Sequence, residues 1–192
     1  MKKLTSLLTM LLLAVTSVSL TSCEDEMMAD TLEGTWEGNM YISSYYDNRY
    51  YDATYSEICF LRDPLSYTTG DGYWVDYYSG APWDYIANHI RWSVSDGVIR
   101  VRFIEEDCTV YIYDYYLSGN RFEGELVDGD NRVRFSLRHT SSPNWDDYDY
   151  WGYDSWFAKK NPGLSTRSAA DTTDVEKPKR VIRTRYREEY VS

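Results

Sequence analysis

From Thr35 to His139 the chain reads as a run of short strands, each closed by a small cluster of turn residues. Ile90, Trp92 and Val94 share one face before Ser95-Asp96-Gly97; Ile99, Val101 and Phe103 share one face after it, with Arg100 and Arg102 opposite. Apolar residues recurring every second position mark a half-buried strand, and Asp-Gly between two such runs marks a hairpin. The rhythm continues through Cys108–Leu117, Ser118-Gly119-Asn120, Phe122–Val127, Asp128-Gly129-Asp130 and Arg132–His139. Before it come a strand over Thr35–Ile42, a turn at Asp47-Asn48-Arg49 and a long strand over Tyr50–Leu61. Next come a tight turn at Gly70-Asp71-Gly72 and a strand over Tyr73–Tyr78, stopped by Ser79-Gly80-Ala81-Pro82. No stretch after the leader shows a helical period. Turns spaced about eight to twelve residues apart predict an all-β fold. That pattern suits either a barrel or a sandwich over residues 32–139, followed by an irregular tail.

The amino end reads as an address. Lys2 and Lys3 precede an apolar run from Leu4 to Leu20, the order of a secretory signal peptide covering residues 1–22. The run is diluted by Thr and Ser and is short for a membrane span, which needs about 20 apolar residues. Leu20-Thr21-Ser22-Cys23 resembles a bacterial lipobox, which makes Cys23 the lipidated residue of the mature chain. Each buried methylene contributes about 0.8 kcal/mol and a single acyl chain holds marginally, so stable anchoring takes more than one. Glu24, Asp25 and Glu26 follow directly. They read either as part of a solvated acidic tether over residues 23–31 or as a sorting signal. In the second reading they resemble the export signal of surface-exposed lipoproteins of the Bacteroidetes. The expected location is the outer membrane, lipid-anchored and facing the cell surface, with a periplasm-facing anchor as the alternative.

Acids outnumber bases, 31 to 20, and the balance grows more negative once Lys2 and Lys3 leave with the leader. Such a surface excludes nucleic acid as a partner, since a phosphate backbone requires a basic face. Cys59 and Cys108 fall in predicted strands and are expected as two separate buried thiols, although an exported location permits a bridge. No Cys/His spacing suggests zinc, and no cofactor motif is present. His89 and His139 stand in predicted strands without a catalytic partner near in sequence, and there is no Gly-x-Ser-x-Gly elbow. Carboxylates are too plentiful for any pair to be singled out as glycosidase machinery.

Twenty tyrosines and seven tryptophans suit both strands and binding faces. They concentrate in residues 140–158, where Trp145, Tyr148, Tyr150, Trp151, Tyr153 and Trp156 alternate with acids. This segment is a candidate binding surface, for a glycan or for another protein, or a cover for the barrel. Asp146, Asp147, Asp149 and Asp154 lack the glycine and terminal Glu of a calcium loop and read as a solvated acidic loop. Tyr45, Tyr46, Tyr50 and Tyr51 offer a second contact face. Residues 159–192 read as a disordered tail. The basic stretch within it, Lys177–Arg187, either lies against the acidic body or stays in water, and the second is expected.

Gly34-Thr35-Trp36, opening the first strand, resembles the Gly-x-Trp signature of lipocalins and related barrels. In that family an Arg of the last strand packs across the Trp, which implies that role for Arg138 or Arg134. A second stretch, from Ile99 through Asp114-Tyr115-Tyr116-Leu117-Ser118-Gly119 to Phe122-Glu123-Gly124, resembles lipocalin-like lipoproteins of the Bacteroidetes. The resemblance implies an antiparallel up-and-down β-barrel of about eight strands, closed and without free edges, either holding a small ligand or filled by its own side chains. The functional expectation is therefore a non-catalytic binding or interaction module on a lipid anchor. Its partner would be a glycan, a small apolar ligand or another envelope protein. The alternatives are a structural accessory subunit of an envelope complex docking through the aromatic segment and, further off, a surface glycan hydrolase.

Overall fold

A computed structural model describes residues 23–143 and 178–183. The first element is a helix, α1, over residues 23–32. Strands β1 (Gly34–Asn39), β2 (Ser43–Tyr46), β3 (Arg49–Asp52), β4 (Tyr55–Arg62) and β5 (Thr69–Tyr77) follow. Then come β6 (Tyr85–Ser95), β7 (Val98–Phe103), β8 (Cys108–Leu117), β9 (Arg121–Asp128), β10 (Asn131–Ser141) and β11 (Lys179–Val181). Eight of these strands close into an antiparallel barrel in the order β1-β10-β9-β8-β7-β6-β5-β4. β1 joins the ends: Trp36 stands opposite Ile58 on one side and His139 on the other. β2, β3 and β11 form a separate three-stranded sheet.

The interior is filled by side chains from alternate positions. Ile99, Val101 and Phe103 of β7 and Val133, Phe135 and Leu137 of β10 point in, while Arg100, Arg102, Arg134 and Arg138 point out. Phe122 sits among Trp36, Phe60, Tyr115 and Phe135, with ring centroids 4.9–6.4 Å apart and mostly edge-on. Aromatic pairs of this geometry add about 0.5–1.5 kcal/mol each beyond their burial.

The fold departs from the sequence expectation in five places. Residues 23–31 are helical rather than an extended tether. Asp25, Ala29 and Leu32 recur at helical spacing and are buried, and Glu24, Asp25 and Glu26 lie in the first turn, where negative charge suits the helix dipole. Gly70-Asp71-Gly72 is not a turn but part of β5. A Cβ on Gly72 would lie 1.9 Å from the Cys59 carbonyl oxygen, and one on Gly70 would meet the Leu61 carbonyl and the Trp92 ring, so these glycines serve close packing. The long strand expected over Tyr50–Leu61 is broken at Ala53 and Thr54, and the first strand ends at Asn39, before Met40 and Ile42. There Tyr41 takes a left-handed backbone (φ 54°) and donates its N–H to Asn39 Oδ1 at 2.6 Å. Finally, residues 179–181 of the tail form a strand, β11, paired with β2 from Lys179↔Tyr45 to Val181↔Ser43.

Candidate functional site

In an up-and-down barrel successive connections fall at alternate ends. One end carries the β4–β5 and β6–β7 connections and is capped by α1. Asp25 accepts the backbone N–H groups of Asp96 and Gly97, at 2.9 and 3.0 Å, from the β6–β7 turn. Arg62 at the end of β4 pairs with Asp30 at 3.0 Å and Glu33 at 3.3 Å. The other end carries the β7–β8 turn, the β5–β6 connection and the long β1–β4 connection that contains β2 and β3. It is the mouth, and the β11-β2-β3 sheet lies there.

The β2–β3 hairpin turns at Asp47-Asn48, both in the left-handed region (φ 48° and 58°), as a two-residue hairpin of this hand requires. Tyr46 and Tyr51 from its two strands pack edge-on against Trp83 of the β5–β6 connection, each at 5.3 Å. Tyr45 and Tyr50 pack on each other with ring centres 4.9 Å apart and planes tilted by 52°, and the Arg183 guanidinium lies 4.6 Å over Tyr50. Half of the tyrosine face expected from sequence is therefore turned into packing against the mouth.

Beneath this sheet lies a buried ionic cluster. Asp76, at the end of β5, is fully buried and accepts the Ser56 hydroxyl at 2.6 Å and the Trp74 indole N–H at 2.9 Å. Asn88 on β6, also fully buried, donates to Glu106 Oε1 of the β7–β8 turn at 2.8 Å. Arg180 of β11 reaches in between them. It ion-pairs directly with Asp76, its Nε stands 3.5 Å from Glu106 Oε2, and its side chain is only 4% exposed. Its guanidinium lies 4.2 Å from the Phe103 ring centre and 5.5 Å from that of Trp74. Burial alone would lower the pKa of this group; the charge of Asp76, then that of Glu106, outweighs it and drives the pKa up. Cys108 lines the same cluster, its Sγ 3.9 Å from Glu106 Oε2. Burial first and Glu106 second push its thiol up to about 11, which makes it a poor nucleophile at neutral pH. The basic stretch expected to stay in water thus has one member deep in the protein, because two buried carboxylates require a cation more than Arg180 requires water.

Trp36 of the Gly-x-Trp pair is packed by residues other than an arginine. Trp36 is fully buried, and its indole N–H donates to the Leu32 carbonyl at 2.7 Å. Across it packs His139, ring to ring at 5.0 Å, together with Phe122. Neither Arg138 nor Arg134 is in reach: both are exposed, because β10 turns its odd-numbered residues inward. Gly34 is needed for this arrangement. Its φ is +136°, and a Cβ there would lie 2.3 Å from His139 Nε2.

Residues 32–124 match the family model of the lipocalin-like domain. The match to the lipocalin-like barrel stops before β10, the strand that closes it onto β1, and before β11 with Arg180. Neither the curated proteins nor the solved structures contain a match to the chain.

Other residues marked in the sequence are placed as follows. Cys23 is exposed at the start of α1, as are Glu24 and Glu26, whereas Asp25 is engaged with the β6–β7 turn. His89 does have an acidic partner, Glu105, which reaches its Nδ1 at 2.5 Å and its backbone N–H at 2.8 Å, tying the β7–β8 turn to β6. Cys59 and Cys108 are not bridged; β4 turns the first to the outer face of the lipocalin-like barrel and β8 turns the second inward. Trp145, Tyr148, Tyr150, Trp151, Tyr153 and Trp156, and the aspartates among them, lie outside the described residues. Among the described residues no cluster of His, Cys, Asp and Glu has the makings of a metal site. A shallow recess of about 460 Å³ opens on the outer wall between Asp71, Arg91, Arg100 and Arg102, away from the mouth.

Proposed function

We propose that this protein is a lipid-anchored lipoprotein of the outer membrane whose lipocalin-like barrel serves as a non-catalytic binding module, with the mouth as its recognition end. The single observation that carries the reading is the asymmetry of the closed barrel. One end is sealed by α1, and the interior is packed with Trp36, Phe60, Phe122 and their neighbours. The other end holds buried charge beneath a sheet assembled from elsewhere in the chain. A ligand filling the interior has no room among these rings, so contact falls at the mouth and on the outer surface. The buried charged groups at the mouth answer one another, which supports binding rather than turnover.

The anchor and address rest on the sequence: the basic start, the apolar run, the Leu20–Cys23 box and the acids after it. The acids do not contribute equally. Asp25 is tied to a turn, so only Glu24 and Glu26 are available to a sorting receptor in the folded protein.

A native mass spectrum of the protein extracted gently from its own envelope tests the whole reading. Expected are acyl mass on Cys23 and a discrete noncovalent partner, small molecule or polypeptide. A chain without acyl mass overturns the anchor, and a lipidated chain with nothing bound overturns the binding module.

A further inference from the structure

We propose that the mouth contains a guanidinium-binding site, formed by Asp76, Glu106, Asn88, Trp74 and Phe103, which Arg180 occupies in cis and which accepts the guanidinium of another molecule when Arg180 leaves. This deepens the reading of the mouth as the recognition end.

The site is built by the barrel without help from its occupant. Asp76 is held by Ser56 and Trp74, and Glu106 by Asn88, all from β4, β5, β6 and the β7–β8 turn. Arg180 comes instead from a strand of three residues that, among the described residues, pairs with β2 alone. Remove it, and the buried Asp76 and the mostly buried Glu106 lose the cation they share, which is unfavourable unless another cation replaces it. The class of cation follows from the walls. Two aromatic rings, with centres 4.2 and 5.5 Å from the guanidinium carbon, and two carboxylates suit a delocalised, weakly hydrated ion with several donors; an ammonium is compact and strongly hydrated.

Arg180 is an imperfect occupant. Its Nε and Nη2 are buried without a hydrogen-bond partner, and so is Asn88 Oδ1, an acceptor in the same cluster. Buried donors and acceptors are nearly always paired, and each one left over weakens the case for the resident group. The β11–β2 pairing sets where the Arg180 backbone lies, and from there its Nε stands 3.5 Å from Glu106 while Asn88 Oδ1 is not met. A guanidinium free of that strand has no such constraint.

The test uses the full chain carrying Arg180→Ala, with methylguanidinium as the probe and methylammonium at equal concentration as the control. The expected result is a saturable rise in Tm of roughly 5–10 °C at a hundred times the dissociation constant. Methylammonium should give much less, wild type should not respond because its site is filled, and Arg180→Ala combined with Asp76→Asn should not respond. A blocked hexapeptide with the sequence of residues 178–183 forms a second arm. Tighter binding than methylguanidinium identifies the ligand as an arginine in an extended chain, and equal binding identifies a small alkylguanidinium. Should Arg180→Ala not fold alone, Arg180→Lys, which keeps a charge in the hole, is measured the same way, with a smaller rise expected. The absence of a saturable rise in either variant overturns the proposal, as does an equal rise in wild type. The mass spectrum of the wild-type chain is a separate readout, so failure here leaves the binding module standing on its own result.

Discussion

Asp76→Asn keeps the shape of a fully buried side chain and removes its charge. The amide oxygen can still accept from Ser56 and Trp74, so the loss falls on the interaction with Arg180. What remains for that guanidinium is Glu106, 3.5 Å from its Nε. Removing one partner of a buried ion pair typically costs about 3–5 kcal/mol, because the other charge stays buried and uncompensated. The chain has an escape that sets a ceiling. Residues 178–183 can lift off the mouth, giving up the burial of Ile182, worth about 2 kcal/mol, and three residues of strand pairing. The part-exposed Arg183–Asp52 pair adds about 0–1 kcal/mol. The measured loss is the smaller of the two routes, about 3 kcal/mol, or roughly 6–12 °C in Tm for a chain of this size. Urea and thermal unfolding of wild type, Asp76→Asn, Arg180→Ala and the double variant close the cycle. Both single changes remove the same Asp76–Arg180 pair, so the sum of the singles counts it twice, and the double variant should be about 2–3 kcal/mol more stable than that sum predicts. Additive losses, or an Asp76→Asn variant within about 0.5 kcal/mol of wild type, would refute the ionic account of the mouth.

At the sealed end, Gly34→Ala should lose about 1–3 kcal/mol from backbone strain alone, and more from displacement of His139; a melt within one degree of wild type would contradict it. Asp25→Ala takes away the charged acceptor of two turn N–H groups and should cost about 2 kcal/mol, with faster amide exchange at Asp96 and Gly97 as the local readout. Alkali should unfold the protein progressively. Burial raises the Cys108 thiol from 9.0 to about 11 and the Tyr115 phenol from 10.0 to about 12. The folded chain therefore keeps protons that the unfolded chain releases. Stability is fully present below about pH 9 and falls as pH rises through 11 to 12. Urea midpoints that stay level across that window would show that these groups are not buried.

The barrel was legible where its strands are buried on one face. β7 and β8 have the limits expected from the alternation of Ile99, Val101 and Phe103 and of Val110 and Ile112. It was less legible in β4 and β5. There Ile58, Cys59, Phe60 and Leu61, then Tyr73, Trp74 and Val75, are buried in unbroken runs, so no alternation marks the ends. Gly70 and Gly72 resembled punctuation because glycine in a turn and glycine under an aromatic ring look alike in one dimension. Of the ionic cluster at the mouth, nothing was legible. Asp76, Asn88, Glu106 and Arg180 come from three barrel elements and a distant tail, and only chain closure brings them together. The one available signal was the Lys-Arg-Val-Ile-Arg run over 179–183, whose Val and Ile are out of character for a solvated tail.

The helix at the amino end has a mechanical meaning if Cys23 is acylated. A tether would let the barrel wander and tumble above the bilayer. Because the chain is helical from Cys23 itself and α1 is fastened to the β6–β7 turn and to Arg62, there is almost no slack between lipid and barrel. The molecule would stand on the membrane like a post set in its socket, sealed base down and mouth held outward at a fixed height. Its reach would be its own length, so whatever docks at the mouth would have to come to it.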